Sequence, residues 1–555
     1  MKIAVSELIV RHLERLGVEY IFGMPGAHVL PIYDGLYGSK VRTVLAKHEQ
    51  GAAFMAGGYA RASGKISACI TTAGPGATNL VTGIANAYAD RLPVLIITGE
   101  TSTYFFGKGG LQESSGEGGA IDLGELFKGI TRYHKVIERT DYLGQVLHQA
   151  TRALLAPEPG PVLLCIPYNV QKEMVEESLL DAISVTSAPR VMRGPSQAVA
   201  KLADMILKAS RPVIVAGHGC VRSGAQEAIS QVSELLGIPV ATTLKAKGLI
   251  AEGTEFSLGC LGVTSNGRAF RHIVDHADLV VFLGAGFNER TSYLWDAKLL
   301  ENKKVAQVDS DHGQLEKLFT ADVAILGDVR DVIEEVLAAV QASGATPKRA
   351  AAQSGQGPKT KQQAAAVNAE QKAGFMLMES FFARLAGRFP ANALIFDDNI
   401  IFAQHFLKVS RGTRYFPNTG ISSLGHAIPA AIGARFALPR PTFAILGDGG
   451  FQMCCMEIMT AVNYSLPLNV VLINNSTMGL IRKNQFQLYG ARFIDCDFVN
   501  PDFRLLAQSF GINHRRIAAE SDLDELFASA DLEGSINLIE IMVDKNAFPS
   551  YLSDR

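Results

Sequence analysis

The chain is short of charge, of charge imbalance, of long apolar runs and of paired cysteines, and each shortage removes a class of function. Charged residues are 19% of 555, below the roughly 25% usual in soluble proteins. With 52 Lys+Arg against 54 Asp+Glu the formal charge is −2, so neither a nucleic acid nor an anionic membrane surface is a natural partner. Apolar runs such as 279–285 and 467–473 have the length of buried strands, far from the roughly 18 residues that a membrane span needs. The first residues lack the basic, apolar, small-residue order of a signal peptide; Leu8, Ile9, Leu13 and Leu16 recur instead at helical spacing. Seven cysteines, at 69, 165, 220, 260, 454, 455 and 496, form no CxxC pair and no disulfide framework, which makes a reducing cytoplasm the expected home. The adjacent Cys454 and Cys455 lie in the apolar stretch FQMCCMEIM, where thiols behave as small core residues.

What is present is a hydrophobic content of 48% over 555 residues, enough for three or four domains at about 150 residues each. Short β-rich runs (65–72, 94–98, 162–166, 213–216, 279–284, 393–397, 443–446, 469–473, 537–543) alternate with helical patterns such as 77–90, 223–236 and 453–464. That alternation predicts parallel sheets covered by helices. Residues 341–374 have almost no large apolar side chains and read as a flexible linker. A weaker boundary falls near 170–195, where Pro189 and Pro195 follow the IPYNVQ strand end. The expected units are 1–175, 190–340 and 375–555.

The third unit carries the clearest chemistry. The strand Phe443–Leu446 runs into Gly447-Asp448-Gly449-Gly450, and a second strand ends at Asn474-Asn475, so Asp448 and Asn475 are 27 residues apart. A carboxylate and an amide at the ends of neighbouring parallel strands suit a hard cation such as Mg²⁺, which is commonly shared with substrate phosphates. The glycines would let backbone N–H groups approach a diphosphate.

GDG followed by NN at this distance resembles the motif of the thiamine-diphosphate (ThDP) enzymes. The first unit supplies a matching half: His48-Glu49-Gln50-Gly51-Ala52-Ala53 and Gly58-Tyr59-Ala60-Arg61 resemble the stretch with the family's catalytic glutamate. The resemblance implies that Glu49 bonds the ring nitrogen of the cofactor's aminopyrimidine and tunes it for deprotonation, rather than attacking a substrate. Gly23-Met24-Pro25-Gly26, Leu30-Pro31-Ile32-Tyr33-Asp34, Thr72-Ala73-Gly74-Pro75-Gly76-Ala77-Thr78-Asn79-Leu80 and Asp90-Arg91-Leu92-Pro93-Val94 are similar to the acetolactate synthase (acetohydroxyacid synthase) catalytic subunits in particular. That resemblance implies three doubly wound parallel-sheet α/β domains: pyrimidine-binding, central nucleotide-type and diphosphate-binding. It further implies a homodimer or homotetramer with active sites between chains, and decarboxylation of a 2-oxoacid such as pyruvate with transfer of the acyl anion equivalent to a carbonyl acceptor.

Carried over residue by residue, the same resemblance gives Gly26, Asn79, Leu424 and Gly447 to Gly450 to the cofactor, with Leu424 as the apolar prop beneath its bent form. It assigns Asp448, Asn475 and Thr477 to Mg²⁺, Gln112 to the substrate oxygen, and Arg290 to the carboxylate of a second oxoacid, a task that suits a planar guanidinium. Three departures stand out. Asn484 replaces the family's tryptophan nine residues beyond the metal-binding asparagine, the loop after Gln112 contains SSGEGGA (Ser114 to Ala120) and is longer than the family form, and Asn399-Ile400-Ile401-Phe402 replaces a GQH phosphate contact, leaving Asn399 and Gln404 to compensate. The central unit has Ala216-Gly217-His218-Gly219 and Gly284-Ala285-Gly286 after apolar strands, but a glycine stands at 286 where acetolactate synthases have an arginine. FAD, ADP and no nucleotide all stay open there. A 2-oxoacid decarboxylase, a 2-hydroxyacyl-CoA lyase and a flavin-dependent pyruvate oxidase are the alternatives.

Overall fold

The computed structural model describes residues 1–186, 193–344 and 375–548. Three six-stranded sheets, all parallel, lie in sequence along the chain. The first runs Arg42–Leu45, Tyr20–Gly23, Ser67–Thr71, Val94–Glu100, Val162–Pro167, Tyr133–Val136 in space. The third runs Arg414–Pro417, Leu394–Asp397, Thr442–Gly447, Leu468–Asn474, Ile536–Met542, Asn513–Ile517. Counted within each domain these two share one strand order, 2-1-3-4-6-5. The middle sheet, Ser257–Cys260, Val240–Thr242, Pro212–Ala216, Leu279–Leu283, Lys304–Asp309, Val323–Leu326, has the order 3-2-1-4-5-6 of dinucleotide-binding folds. Its central strands read as unbroken apolar runs, Pro212–Ala216 and Leu279–Leu283, because helices cover both faces and no side of the strand meets water. In sheets of this kind ligands bind at the strand C-termini where the order reverses, and that places three clefts before any side chain is considered.

The first and third domains are joined by a dry core. The helix Glu49–Ser63 packs against the helix Ala427–Ala437, and one apolar cluster spans both domains through Met55, Tyr59, Ile428 and Ile432. The backbones touch. A Cβ at Gly58 would overlap the Ala430 carbonyl, and one at Gly433 would overlap the Met55 carbonyl, so only glycine permits this separation.

The strand and helix expectations hold in position, with two instructive differences. The helix expected at 453–464 begins earlier, at Asp448, and breaks after Cys454 into a short 3₁₀ turn, Cys455–Glu457, before Ile458–Asn463. That break turns Glu457 toward the first domain. Cys454 and Cys455 are half-buried against the core rather than fully inside it. The helix Val329–Ala342 runs into the first residues of the expected linker; 345–374 lie outside the described residues. Among the described residues no helix is long and apolar enough to cross a membrane.

Substituting Gly433 by alanine forces a methyl group against the Met55 carbonyl. We expect a loss of about 1–3 kcal/mol, the usual cost of overpacking, read as a lower urea midpoint; an unchanged midpoint would mean the helices are not in backbone contact.

Candidate active site

In the third sheet the order reverses between Leu394–Asp397 and Thr442–Gly447, and the Gly447-Asp448 turn sits at that cleft. Asp448 is almost fully buried. Its carboxylate accepts N–H bonds from Gly449 at 3.0 Å, Asn475 at 3.1 Å, Ser476 at 2.6 Å and the Asn500 side chain at 2.8 Å. Burial raises its pKa and these donors oppose the shift. All four are neutral, and among the described residues Asp448 forms no ion pair. Ser476 takes a left-handed φ of 55°, the bend that aims the two backbone N–H groups at one oxygen. Asn475 Oδ1 accepts from the Thr477 N–H at 3.2 Å, and the Thr477 hydroxyl donates to the Cys496 carbonyl at 2.8 Å. Leu424 lies beside Gly450, 3.8 Å from where a Cβ there would be.

Behind this turn are two buried neighbouring carboxylates. Asp398 accepts from the Gly425 N–H at 2.6 Å, the Asn418 side chain at 3.1 Å and the His426 N–H at 3.2 Å, and so pins the segment that carries Leu424. Its oxygen would stand 3.1 Å from a Cβ on Gly450. Asp397 accepts from Tyr415, Ile400 N and Gln404. Burial pushes Asp398 up to about 7, with Asp397 adding to it, and pushes Asp397 up to about 6. Gln404 thus supports Asp397, and Asn399 faces the other way, toward Arg290.

The first domain's cleft falls between Tyr20–Gly23 and Ser67–Thr71. There Gly26 is pressed against Thr72, whose hydroxyl donates to Gln112 Oε1 at 3.3 Å and lies 3.3 Å from His28 Nδ1. Gln112 has φ 56° and sits over Gly74, where a Cβ would be 3.0 Å from its own. Its loop is held by carboxylates: the buried Glu100 accepts from Ser114 N at 3.0 Å, and Glu113 accepts from the Gly107 and Gly110 N–H groups. Asn79 donates to Glu49 at 2.9 Å, and His48 caps the helix that Glu49 begins.

Arg290 stands apart. It lines a cavity of about 600 Å³ at the reversal of the middle sheet, with His218, Gly286 and Asp309, and donates to Asn399 at 3.4 Å. Neither Glu49, Gln112 nor Asp448 lines that cavity. The two glycine turns there pack on each other: a Cβ at Gly217 would meet the Gly284 carbonyl and one at Gly219 would lie 2.7 Å from Gly284 Cα, whereas Gly286 faces open space up to Gln314.

Asp397, Asp398 and Glu100 escaped the sequence reading, as did Asn500 and Glu457. Asn500 bonds Asp448, Asn474 at 2.9 Å and Ser476 at 3.3 Å through one amide nitrogen; an Asn-Pro step before a helix was its only signal. Glu457, 3% exposed, accepts from the Lys47 N–H at 3.1 Å, the His48 N–H at 3.0 Å and the Thr460 hydroxyl at 2.8 Å. An acid alone in an apolar stretch marked it.

Three family models cover most of the chain. They describe the N-terminal TPP binding domain, the central domain and the C-terminal TPP binding domain of thiamine pyrophosphate enzymes, at residues 3–118, 199–336 and 398–541. The chain belongs to the thiamine pyrophosphate enzymes. Two relatives named "Probable acetolactate synthase large subunit" are 31% identical in Methanococcus aeolicus and 33% in Methanocaldococcus jannaschii, over 98% and 97% of this chain and 92% of each relative. An "Acetolactate synthase" of Mycobacterium bovis is 32% identical over 97% of this chain and 87% of its own length. This ThDP enzyme, thiamine pyrophosphate being the same cofactor, therefore resembles that group over nearly its whole length.

The raised Asp397 and Asp398 carboxyls give a pH test. Their pKa values are above the ordinary 3.8 in the folded state, so the folded protein binds protons more tightly than the unfolded chain. This contribution to stability is present below pH 4 and is lost as pH rises through 6 and then 7. Asp398→Asn should flatten the decline of Tm between pH 4 and pH 7; an identical profile in the variant refutes the assignment.

Proposed function

We propose that this enzyme is an acetolactate synthase-like carboligase: with ThDP and Mg²⁺ it decarboxylates a 2-oxoacid, pyruvate foremost, and transfers the acyl anion equivalent to a carbonyl acceptor. The observation that carries this is the buried Asp448, held by neutral donors and, among the described residues, with no cation beside it. A buried carboxylate without a counter-charge is costly, and a hard divalent cation bridging it to a diphosphate removes that cost. No group of three or more His, Cys, Asp or Glu side chains among the described residues is placed for a metal. A mixed oxygen set from Asp448, Asn475 and Thr477 would suit Mg²⁺ instead.

When bound, ThDP supplies the carbanion and the electron sink for decarboxylation. The chain's own part is positional. Glu49, oriented by Asn79, would hold a proton on the cofactor ring; Leu424 would support its bend; Gln112, fixed by Thr72, would offer its amide to the substrate oxygen. Arg290 would receive the carboxylate of an acceptor oxoacid.

Several apolar side chains are exposed near both half-sites, among them Leu111 at 73% and Phe105 at 47% in one, and Ile481 at 48% and Ile494 at 69% in the other. Exposed apolar clusters mark protein interfaces and support a homodimer or homotetramer in which the first domain of one chain meets the third of another. The middle cavity, with Asp309 at a strand end, suits the ADP moiety that FAD and ADP share. A plain 2-oxoacid decarboxylase or a 2-hydroxyacyl-CoA lyase is the second reading. It is favoured by Arg290 reaching Asn399 rather than the Gln112 cluster and by Asn484.

The decisive experiment incubates the protein with ThDP, Mg²⁺ and a panel of 2-oxoacids, alone and with aldehyde or ketone partners, and identifies products by mass. Glu49→Gln keeps the Asn79 bond but removes the charge; turnover should fall about 10²–10⁴-fold, the range for a positioned proton-transfer group, while ThDP binding by calorimetry persists. Unchanged turnover refutes the role. Arg290→Ala should lower kcat/KM for the acceptor about ten- to a hundred-fold, the cost of a charge-assisted hydrogen bond, and divert product to aldehyde. If product ratio and both KM values hold, Arg290 is structural and the acceptor is a neutral carbonyl.

A further inference from the structure

A second cavity, of about 680 Å³, opens where all three domains meet. It shares Asp90, Arg91, His218, Arg222 and Lys245 with the strand-end cavity as a common wall. Its lining is strongly one-sided: eight Lys and Arg side chains against one acid, Asp90. Six of the eight have carboxylate partners. Arg61 and Lys245 converge on Asp90, Arg91 and Arg222 on Glu158, with Asp311 also on Arg91, while Lys247 pairs with Glu252 and Arg411 with Glu227. Burial alone would raise Asp90's pKa, yet the two cations beside it hold it well below the usual carboxylate range. Of these two contacts, Lys245–Asp90 ties the first domain to the middle one.

Among the described residues Arg414 and Arg440 have no carboxylate partner. Arg414 donates to the Ala62 and Arg61 carbonyls at 2.6 and 2.9 Å, closing the end of the Glu49–Ser63 helix, and lies over the Phe416 ring. Arg440 donates to the Gly412 carbonyl at 3.2 Å. Capping explains Arg414, but it leaves Arg440 and the excess of eight cations over five carboxylates without a structural purpose. Burial, and then the neighbouring Arg440 charge, lower the Arg414 pKa, so the pair repel each other in a partly dry space.

We propose that this three-domain cavity binds a small phosphate-bearing molecule through Arg414 and Arg440, and that its occupancy braces the three domains against one another. The planar guanidinium fork matches phosphate oxygens, and the volume is within the 300–1,000 Å³ typical of small-molecule sites. The inference does not depend on which reaction the enzyme catalyses.

The test uses the enzyme loaded with ThDP and Mg²⁺, at constant ionic strength so that general screening is not mistaken for binding. Inorganic phosphate and fructose 1,6-bisphosphate are titrated by calorimetry and by thermal unfolding, with fructose as the uncharged arm. We expect both phosphates to bind and to raise Tm, the bisphosphate more, and fructose to do neither. Arg440→Glu should weaken bisphosphate binding about ten- to a hundred-fold, the cost of one charge-assisted contact. Arg440→Gln, which adds no charge to the wall, serves if the first variant fails to fold and should weaken it in the same direction. Absence of binding at millimolar concentration, binding equal for fructose, or binding unaffected in the folded Arg440 variant each overturn the proposal.

Discussion

The contact between the helices Glu49–Ser63 and Ala427–Ala437 governs the relation of everything else in the molecule. Gly58 and Gly433 let the backbones meet, and the apolar cluster around them belongs to two domains at once. Close packing of this kind transmits displacement rather than absorbing it. The Glu457 carboxylate adds direction to that packing. Burial raises its pKa and its three donors oppose the shift, and Gly51 is forced to be glycine because a Cβ would overlap the carboxylate. The 3₁₀ break that carries Glu457 follows directly on the Asp448–Cys454 helix. Glu49, at the start of its helix, and the Asp448 turn are thereby held by a single rigid connection.

The first and third sheets share one strand order and present their chemistry at the same topological place. What differs is the lining. The first cleft offers neutral groups, Thr72 and Gln112, with Glu49 and Asn79 at the neighbouring helix start. The third offers two carboxylates, Asp448 in front and Asp398 behind it. A cofactor with a basic ring at one end and a diphosphate with its cation at the other matches that division of labour.

The middle domain follows the dinucleotide-binding order, yet its glycines are spent largely on each other. Gly217, Gly219 and Gly284 are small because the two turns pack together, and Gly286 alone borders open space. Glycine at a strand end is therefore poor evidence for a phosphate without the packing around it. Arg290 and Asn399 join this domain to the third, so the cavity and the cleft of the third sheet are neighbours through one hydrogen bond.

Fold class and the number of sheets were legible in the chain because they are local. A buried strand must be a short apolar run, a strand-end turn needs glycine, and Asp448 and Asn475 are fixed by the length of one crossover between adjacent strands. The pairings were not legible. That Asn79 meets Glu49, that Thr72 holds Gln112 and that Asn500 braces Asp448 depends on which loops the sheet order brings to one edge, and spacing along the chain does not encode strand order. Glu457 was visible only as a misplaced acid, because its partners, Lys47 and His48, are about 410 residues away. The same holds for the eight cations of the three-domain cavity. Scattered from Arg61 to Arg440, they leave a net charge of −2 with no basic run, and only the docking of three domains gathers them into one positive space.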